Sequence, residues 1–348
     1  MKKTGFLILS LLLVLALLAG CGVKAPEASQ EPSPSQQVTP SPEATPEALG
    51  SVRLASLKGP TTMGLVKLLD DAATSKLSYT VDSTIYGTAD EIQALLISGD
   101  VDMAAIPANL ASVLYTKTEG KIQVAAINTL GVLSLVELGN SINSIADLSG
   151  KTVYSTGKGT TPEYMLNAVL SANKLSTGTD VIVEYRSEAT EIAALLAGET
   201  AVEGTIALLP QPYATTVLLS NPKARIALDL TKEWDKAGID GSPVTGVLVV
   251  NRDFAEKNSA LVEAFLSDYS SSITWVNANN ADAAELIAAA GIVPKAAVAE
   301  KALPFCNLSF IGGEDMKNTL SAYLKVLFDQ NPKAVGGMMP DDNFYYGA

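Results

Sequence analysis

The 348-residue chain has no histidine and only two cysteines, Cys21 and Cys306. Without an imidazole there is no Ser-His-Asp triad, no histidine general base and no His-ligated zinc. Two thiols can build neither a disulfide framework nor a cysteine zinc site. Basic residues are scarce as well. Lys and Arg number 24 against 37 Asp and Glu, a net charge of −13. From residue 51 onward the balance is 21 against 33, or −12. Such a surface repels phosphate backbones, so nucleic acid is not an expected partner. Beyond the first twenty residues no run of eighteen or more apolar residues occurs, so a second membrane crossing is not expected. What the chain does have is a hydrophobic content of 47% with only 18% charged residues, enough for a sizeable core and incompatible with wholesale disorder.

The start of the chain is patterned. Lys2 and Lys3 precede an apolar run from Phe6 to Leu18, interrupted by Ser10, and the run ends Leu18-Ala19-Gly20-Cys21. A basic flank, a short apolar core and small residues before a cysteine resemble the signal peptide and lipobox of bacterial lipoproteins. That resemblance implies lipidation of Cys21 and an extracytoplasmic, membrane-anchored protein. Residues 22–50 follow with Pro26, Pro32, Pro34, Pro40, Pro42 and Pro46 among Ser, Glu, Gln and Thr, a composition that cannot pack a core. As a coil such a tether would span about 30 Å, and fully extended about 90 Å.

The folded part, residues 51–348, contains an internal near-repeat offset by about 100 residues. Lys58-Gly59-Pro60-Thr61-Thr62 is echoed by Lys158-Gly159-Thr160-Thr161. Tyr86 before Glu91-Ile92-Gln93-Ala94-Leu95-Leu96 is echoed by Tyr185 before Glu191-Ile192-Ala193-Ala194-Leu195-Leu196. Met103-Ala104-Ala105-Ile106-Pro107 is echoed by Thr205-Ile206-Ala207-Leu208-Leu209-Pro210. Each copy reads strand–helix–strand–helix–strand, with strands at 52–57, 79–86 and 102–106, then 152–155, 181–185 and 205–209. Helical spacing covers 90–98, 162–172 and 189–197, and later 261–277, 281–290 and 316–329. The late helices have no counterpart in the second copy and are expected to pack on the first. Alternation of this kind predicts α/β architecture in two lobes, each a mostly parallel sheet flanked by helices. Crossings between the lobes are expected near 129–145 and 242–247, where Thr129, Gly131, Thr245 and Gly246 are hinge candidates or ordinary turn residues.

In open parallel sheets ligands bind beyond the carboxyl ends of the strands. The residues there are Gly59, Pro60, Thr61 and Thr62 in the first copy, and Gly159, Thr160 and Thr161 in the second. Helix N-termini with adjacent hydroxyls suit polar or anionic groups. The same threonines equally suit plain helix capping. Tyr86 and Tyr185 end equivalent strands, able to stack on a ligand or to plug the lobe rim. Asn109, and Gln211 with Pro212, follow the third strand of each copy, as ligand contacts or as caps. Asp70-Asp71 and Asp341-Asp342 read as solvated surface, and Cys306 as a buried thiol. Gly157-Lys158-Gly159-Thr160-Thr161 lacks the spacing of a phosphate loop, and no motif asks for a cofactor or a metal.

Together the lipobox, the tether, the Lys58–Thr62 turn, Gly99–Pro107, Ser155–Glu163 and the stretch Ile145-Ala146-Asp147-Leu148-Ser149-Gly150-Lys151-Thr152-Val153 resemble solute-binding proteins of ABC importers. Within them the chain is similar to the branch of nitrate, taurine, aliphatic sulfonate and thiamine-pyrimidine binders. The resemblance covers about 51–345. It implies a type II periplasmic-binding fold, with 51–140 plus 246–348 as lobe 1 and 141–245 as lobe 2. It further implies a monomer that captures a small molecule without chemistry and delivers it to a membrane permease driven by a separate ATPase. Ligand contacts are implied at 59–62, 107–109, 159–161 and 210–212. No arginine lies in those turns, so a bidentate clamp on sulfonate or nitrate is absent from them. Two rival functions share the fold: a metabolite-transforming enzyme, of pyrimidine-synthesis or dehydratase type, and a ligand-sensing surface lipoprotein.

Overall fold

Short apolar runs bounded by turn residues become strands, and runs with apolar residues three and four apart become helices. The computed structural model describes residues 49–198 and 201–348. The signal-like segment 1–21 with Cys21 and tether residues 22–48 lie outside the described residues, as do Glu199 and Thr200. The first copy runs β1 (Ser51–Leu57), α1 (Pro60–Met63), α2 (Val66–Ala73), β2 (Thr80–Tyr86), α3 (Ala89–Ser98), β3 (Met103–Pro107) and α4 (Ala108–Lys117). The chain continues through β4 (Ile122–Leu130) and β5 (Leu133–Leu138). The second copy runs β6 (Thr152–Ser155), α5 (Thr161–Ala172), β7 (Ile182–Tyr185), α6 (Ala189–Ala197), β8 (Ile206–Pro210) and α7 (Tyr213–Ser220). After β9 (Ala224–Asp229) and α8 (Leu230–Lys236), β10 (Val244–Asn251) leads to α9 (Arg252–Lys257), α10 (Ser259–Ala278), α11 (Asn280–Ala289) and α12 (Ala296–Ala302). Strand β11 (Leu308–Ile311) and α13 (Gly313–Gln330) complete the regular elements.

The strands form two sheets, ordered β11-β4-β10-β3-β1-β2 and β7-β6-β8-β5-β9. Both are built on the same plan. In each copy the first strand lies between the second and third, all parallel. An antiparallel strand then pairs with the third: β10 with β3, and β5 with β8. The parallel order expected from the sequence therefore holds for three strands of each sheet, while β4, β5, β9, β10 and β11 pair antiparallel. Strand β5 falls inside the segment 51–140 expected in lobe 1, yet it pairs with β8 and β9 in the second sheet. The first crossing therefore lies at 131–132, earlier than the expected 140/141 bound.

Helix ends are set locally. Thr88 and Glu91 form a capping box at the start of α3, and Gly99 stops it with φ +77°. Helices α2, α10, α11 and α12 cover one face of the first sheet around Phe265, Tyr269 and Ile287, as expected for the late helices. Full burial of a side chain like Phe265 contributes about 1.5–3 kcal/mol. Helix α13 departs from that expectation. Its buried stripe of Met316, Leu320, Tyr323, Leu324 and Leu327 packs on β4 of the first lobe and also on α5 of the second. Tyr323 lies 5.9 Å from the ring of Trp234 in α8, so α13 is shared by both lobes.

At the first crossing a Cβ added to Gly131 would lie 2.1 Å from Thr231 Oγ1, which leaves room for glycine only. Gly131→Ala should lower the urea midpoint by an amount worth about 1–3 kcal/mol, and a second change, Thr231→Ala, should restore most of it. In the second sheet Glu137 is fully buried. It accepts the Ser141 N–H at 2.7 Å and the Ile142 N–H at 3.2 Å, and pairs with Arg225 at 2.7 Å. Burial by itself would push this carboxyl up, but the hydrogen bonds and the guanidinium outweigh it and hold it below its ordinary 4.5. Its stabilisation is therefore complete above the unfolded-state value and is lost as pH falls through the folded one. Denaturant titrations should show stability declining below pH about 5, and Glu137→Gln should flatten that decline. Arg225→Ala, which strands a buried carboxylate, should cost about 3–5 kcal/mol.

Candidate functional site

The strand ends of the two copies open onto one cleft of about 410 Å³. Because the sheets share a plan, the cleft is lined in matched rows. The outer row comes from the ends of β2 and β7, with Gly87, Thr88 and Asp90 from one and Arg186 and Glu188 from the other. The middle row comes from the ends of β1 and β6: Lys58, Pro60 and Thr61, then Lys158, Thr160 and Thr161. The inner row, after β3 and β8, holds Pro107, Pro210 and Tyr213, and the crossing strands add Leu133 and Thr245.

Of the residues expected from the sequence, Pro60, Thr61, Thr160 and Thr161 line this cleft, together with Pro107 and Pro210 from the expected strand-end segments. The threonines are not equivalent. Thr61 donates its hydroxyl to Leu57 O at 2.8 Å, and Thr62, fully buried beneath the turn, donates to the same carbonyl at 2.6 Å. Thr160 donates to Gly157 O at 2.7 Å. Thr161 is 0% exposed, and among the described residues its Oγ1 has no hydrogen-bond partner. The hydroxyls of Thr61, Thr62 and Thr160 thus tie the turns to their own backbone, whereas at the cleft wall those of Thr161 and Thr245 are uncommitted among the described residues. Gly59 and Gly159 shape the two turns with φ +137° and +78°.

The remaining expected residues stand behind the lining. Tyr86 packs against the core. The Tyr185 ring lies under the Lys158 ammonium, 5.8 Å from Nζ, and burial followed by the negative charge of Glu163 pushes its phenol up. Gln211 is buried, and its Oε1 accepts from the Thr215 N–H at 3.2 Å and the Thr215 hydroxyl at 2.8 Å, which caps α7 with Pro212 at its start. Asn109, 1% exposed, donates from Nδ2 to Ala334 O and to Gly159 O, both at 3.1 Å. The second bond joins the first lobe to the turn that carries Thr160 and Thr161.

Several cleft residues escaped the sequence reading. Tyr213 follows Gln211 and Pro212 by one residue. Its phenol is pushed up to about 12 by burial and by the nearby negative charge of Glu188. Glu188 was legible from the repeat, because aligning Glu91 with Glu191 sets Glu188 opposite Thr88. Its carboxylate reaches across to the first lobe, where a Cβ added to Gly87 would lie 3.0 Å from Oε1. Lys58 and Lys158 form no ion pair among the described residues, whereas Arg186 pairs with Glu184 at 3.3 Å. The cleft therefore offers cationic, anionic and hydroxyl groups around an apolar floor of prolines and leucines. Among the described residues no group of three or more His, Cys, Asp or Glu could hold a metal ion.

Two opposed α/β lobes, each with strand order second-first-third-crossing and a cleft at the strand ends, define the type II periplasmic-binding fold. The chain belongs to the NMT1/THI5-like family, whose profile matches residues 81–283, more than half of its length. Among solved structures it is similar to an ABC transporter protein from Parabacteroides distasonis, with 24% identity and a TM-score of 0.69 over 85% of this chain and 98% of that one. The periplasmic aliphatic sulphonate binding protein SsuA from Escherichia coli gives 19% identity and a TM-score of 0.65, over 84% of this chain and 91% of that one. The periplasmic nitrate-binding protein NrtA from Synechocystis gives 14% and 0.54, over 68% and 65%. At these identities the likeness is one of fold. No curated protein matches the chain.

The duplicated threonines can be told apart by stability. Thr61→Val, which breaks the bond to Leu57 O, should cost about 1 kcal/mol in urea denaturation. Thr161→Val removes a buried hydroxyl that has no partner, and should leave the midpoint unchanged or raise it.

Proposed function

We propose that this protein is the extracytoplasmic solute-binding component of an ABC importer. It captures a small organic solute between its lobes and presents the closed, loaded form to a membrane permease driven by a separate ATPase. One observation carries this reading: turns duplicated in sequence, at Lys58–Thr62 and Lys158–Thr161, meet as the two walls of one cleft. A volume of about 410 Å³ lies within the ~300–1,000 Å³ of small-molecule sites. The apolar floor with Lys58, Lys158, Glu188, Tyr213 and Thr161 around it suits a solute with polar ends and an apolar middle. A solute that touches both walls binds fully only when the lobes are closed, so binding shifts the population toward the closed form.

In this reading Cys21 carries the lipid that holds the protein at the outer face of the cell membrane, and residues 22–50 are its tether. The protein works as a monomer. Lobe 1 comprises 51–132 with 244–348, and lobe 2 the residues between, the bounds following the sheet each strand joins. The structural likeness to sulphonate- and nitrate-binding proteins supports capture without chemistry.

The test is a metabolite-library thermal shift on the purified full-length protein, with mass spectrometry of any solute released from it. A solute at 100 times its Kd should add about 2.7 kcal/mol of stability and be recovered unchanged. Recovery of a chemically altered product with turnover would instead establish an enzyme. Absence of any shift and of any copurified solute would overturn the binding reading.

A further inference from the structure

The cleft is spanned by a hydrogen bond whose donor is not one of its lining residues. Asn109 sits at the start of α4, where the chain leaves β3, and is 1% exposed. Its amide group makes two bonds of 3.1 Å. One goes to Ala334 O in the 3₁₀ turn Pro332–Val335, and the other crosses to Gly159 O in the second lobe. Two carbonyl partners identify the bonding atom as nitrogen, since an amide oxygen could bond to neither. The turn it reaches is the one whose Thr160 and Thr161 line the cleft. The neighbouring Ser112 hydroxyl donates to Val335 O at 2.7 Å, so the 3₁₀ turn is tied to α4 by a second bond that does not cross the cleft. At the outer row the lobes also approach closely, with Glu188 Oε1 3.0 Å from where a Gly87 Cβ would sit.

We propose that Asn109 is the closure latch of this protein: a positioning residue that holds the Gly157–Thr161 turn in place when the lobes shut and thereby sets the closed-to-open ratio before any solute contributes. The proposal rests on the solute-binding reading, which requires lobes that open. The latch acts through geometry. When the lobes part, Nδ2 keeps Ala334 O and loses Gly159 O, so opening exchanges one part-buried bond for solvent. Removing the donor costs the Gly159 bond in the closed form only, whereas loss of the Ala334 bond weighs on the open and closed forms alike, so the closed-to-open ratio falls. A bulky side chain at Gly87 would have to displace the Glu188 carboxylate that faces it across the cleft.

The test measures interlobe distance with no solute present. A spin-label pair at Ser83→Cys on β2 and Ile182→Cys on β7, both exposed positions on the edge strands of their sheets, reports the separation of the two lobes. The full chain carries Cys21→Ser so that only the pair is labelled, Cys306 being fully buried. Asn109→Leu should shift the distance distribution outward, lowering the closed-to-open ratio roughly 2- to 12-fold. Ser112→Ala should leave the distribution as in the parent, which separates the latch from mere loss of the α4 tie to the 3₁₀ turn. Gly87→Leu, a wedge at the opposite rim, should produce the open distance without touching Asn109. Identical distributions in the parent and Asn109→Leu, with the long distance visible in Gly87→Leu, would overturn the latch and leave the solute-binding reading standing. A single short distance in all of these proteins would overturn both.

Discussion

Everything at the cleft depends on two narrow passages of chain that hold the sheets with their strand ends opposed. The first is only residues 131–132, between β4 of one sheet and β5 of the other. There Gly131 has no space for a side chain against Thr231. The second passage returns through 237–243 into β10. Because β5 and β10 each pair antiparallel beside the third strand of a copy, the two sheets become near-copies whose carboxyl ends face each other. A two-residue link cannot wander, so the opposition of the walls follows from the register of the strands on either side of it.

Much of the fold was legible because its signals are local. Apolar runs four to eight residues long, bounded by glycine or proline, became β1, β3, β4 and β8. Spacing of three and four became α3, α5, α6, α10 and α13. Antiparallel pairing of the crossing strands was not legible, since a strand's direction within a sheet depends on where the chain goes next and not on its own residues. Nor was the double role of α13. Its apolar stripe announced a buried face, but a stripe does not say what buries it, and here that is β4 on one side and α5 with Trp234 on the other.

At the cleft, the repeated turns of both copies supply lining residues, while several of the expected side chains stand behind the lining. Pro60, Thr61, Thr160 and Thr161 line the cleft, while Thr62 and Gln211 spend their polar groups on nearby backbone and hydroxyl partners. One threonine differs from its neighbour only by which carbonyl lies within reach, a difference of a few ångströms that residue type cannot convey. Tyr213 is different: it lies one residue beyond the Gln211-Pro212 landmark, where a small change in loop length decides which side chain faces inward, while Glu188 is reached by aligning the two copies. Asn109 is the instructive case, since its Nδ2 is taken up by two carbonyls, one from each lobe, while its Oδ1 has no partner among the described residues.

By itself the sequence determined the α/β class, the two-copy plan, the positions of the cleft turns and the exclusion of histidine- and cysteine-based chemistry, because composition, periodicity and repetition are properties of the chain alone. Only the tertiary structure decided which strands cross, which hydroxyl is left without a partner and which amide joins the lobes. Those outcomes turn on hydrogen-bond distances between residues far apart in sequence, and no pattern along the chain encodes them.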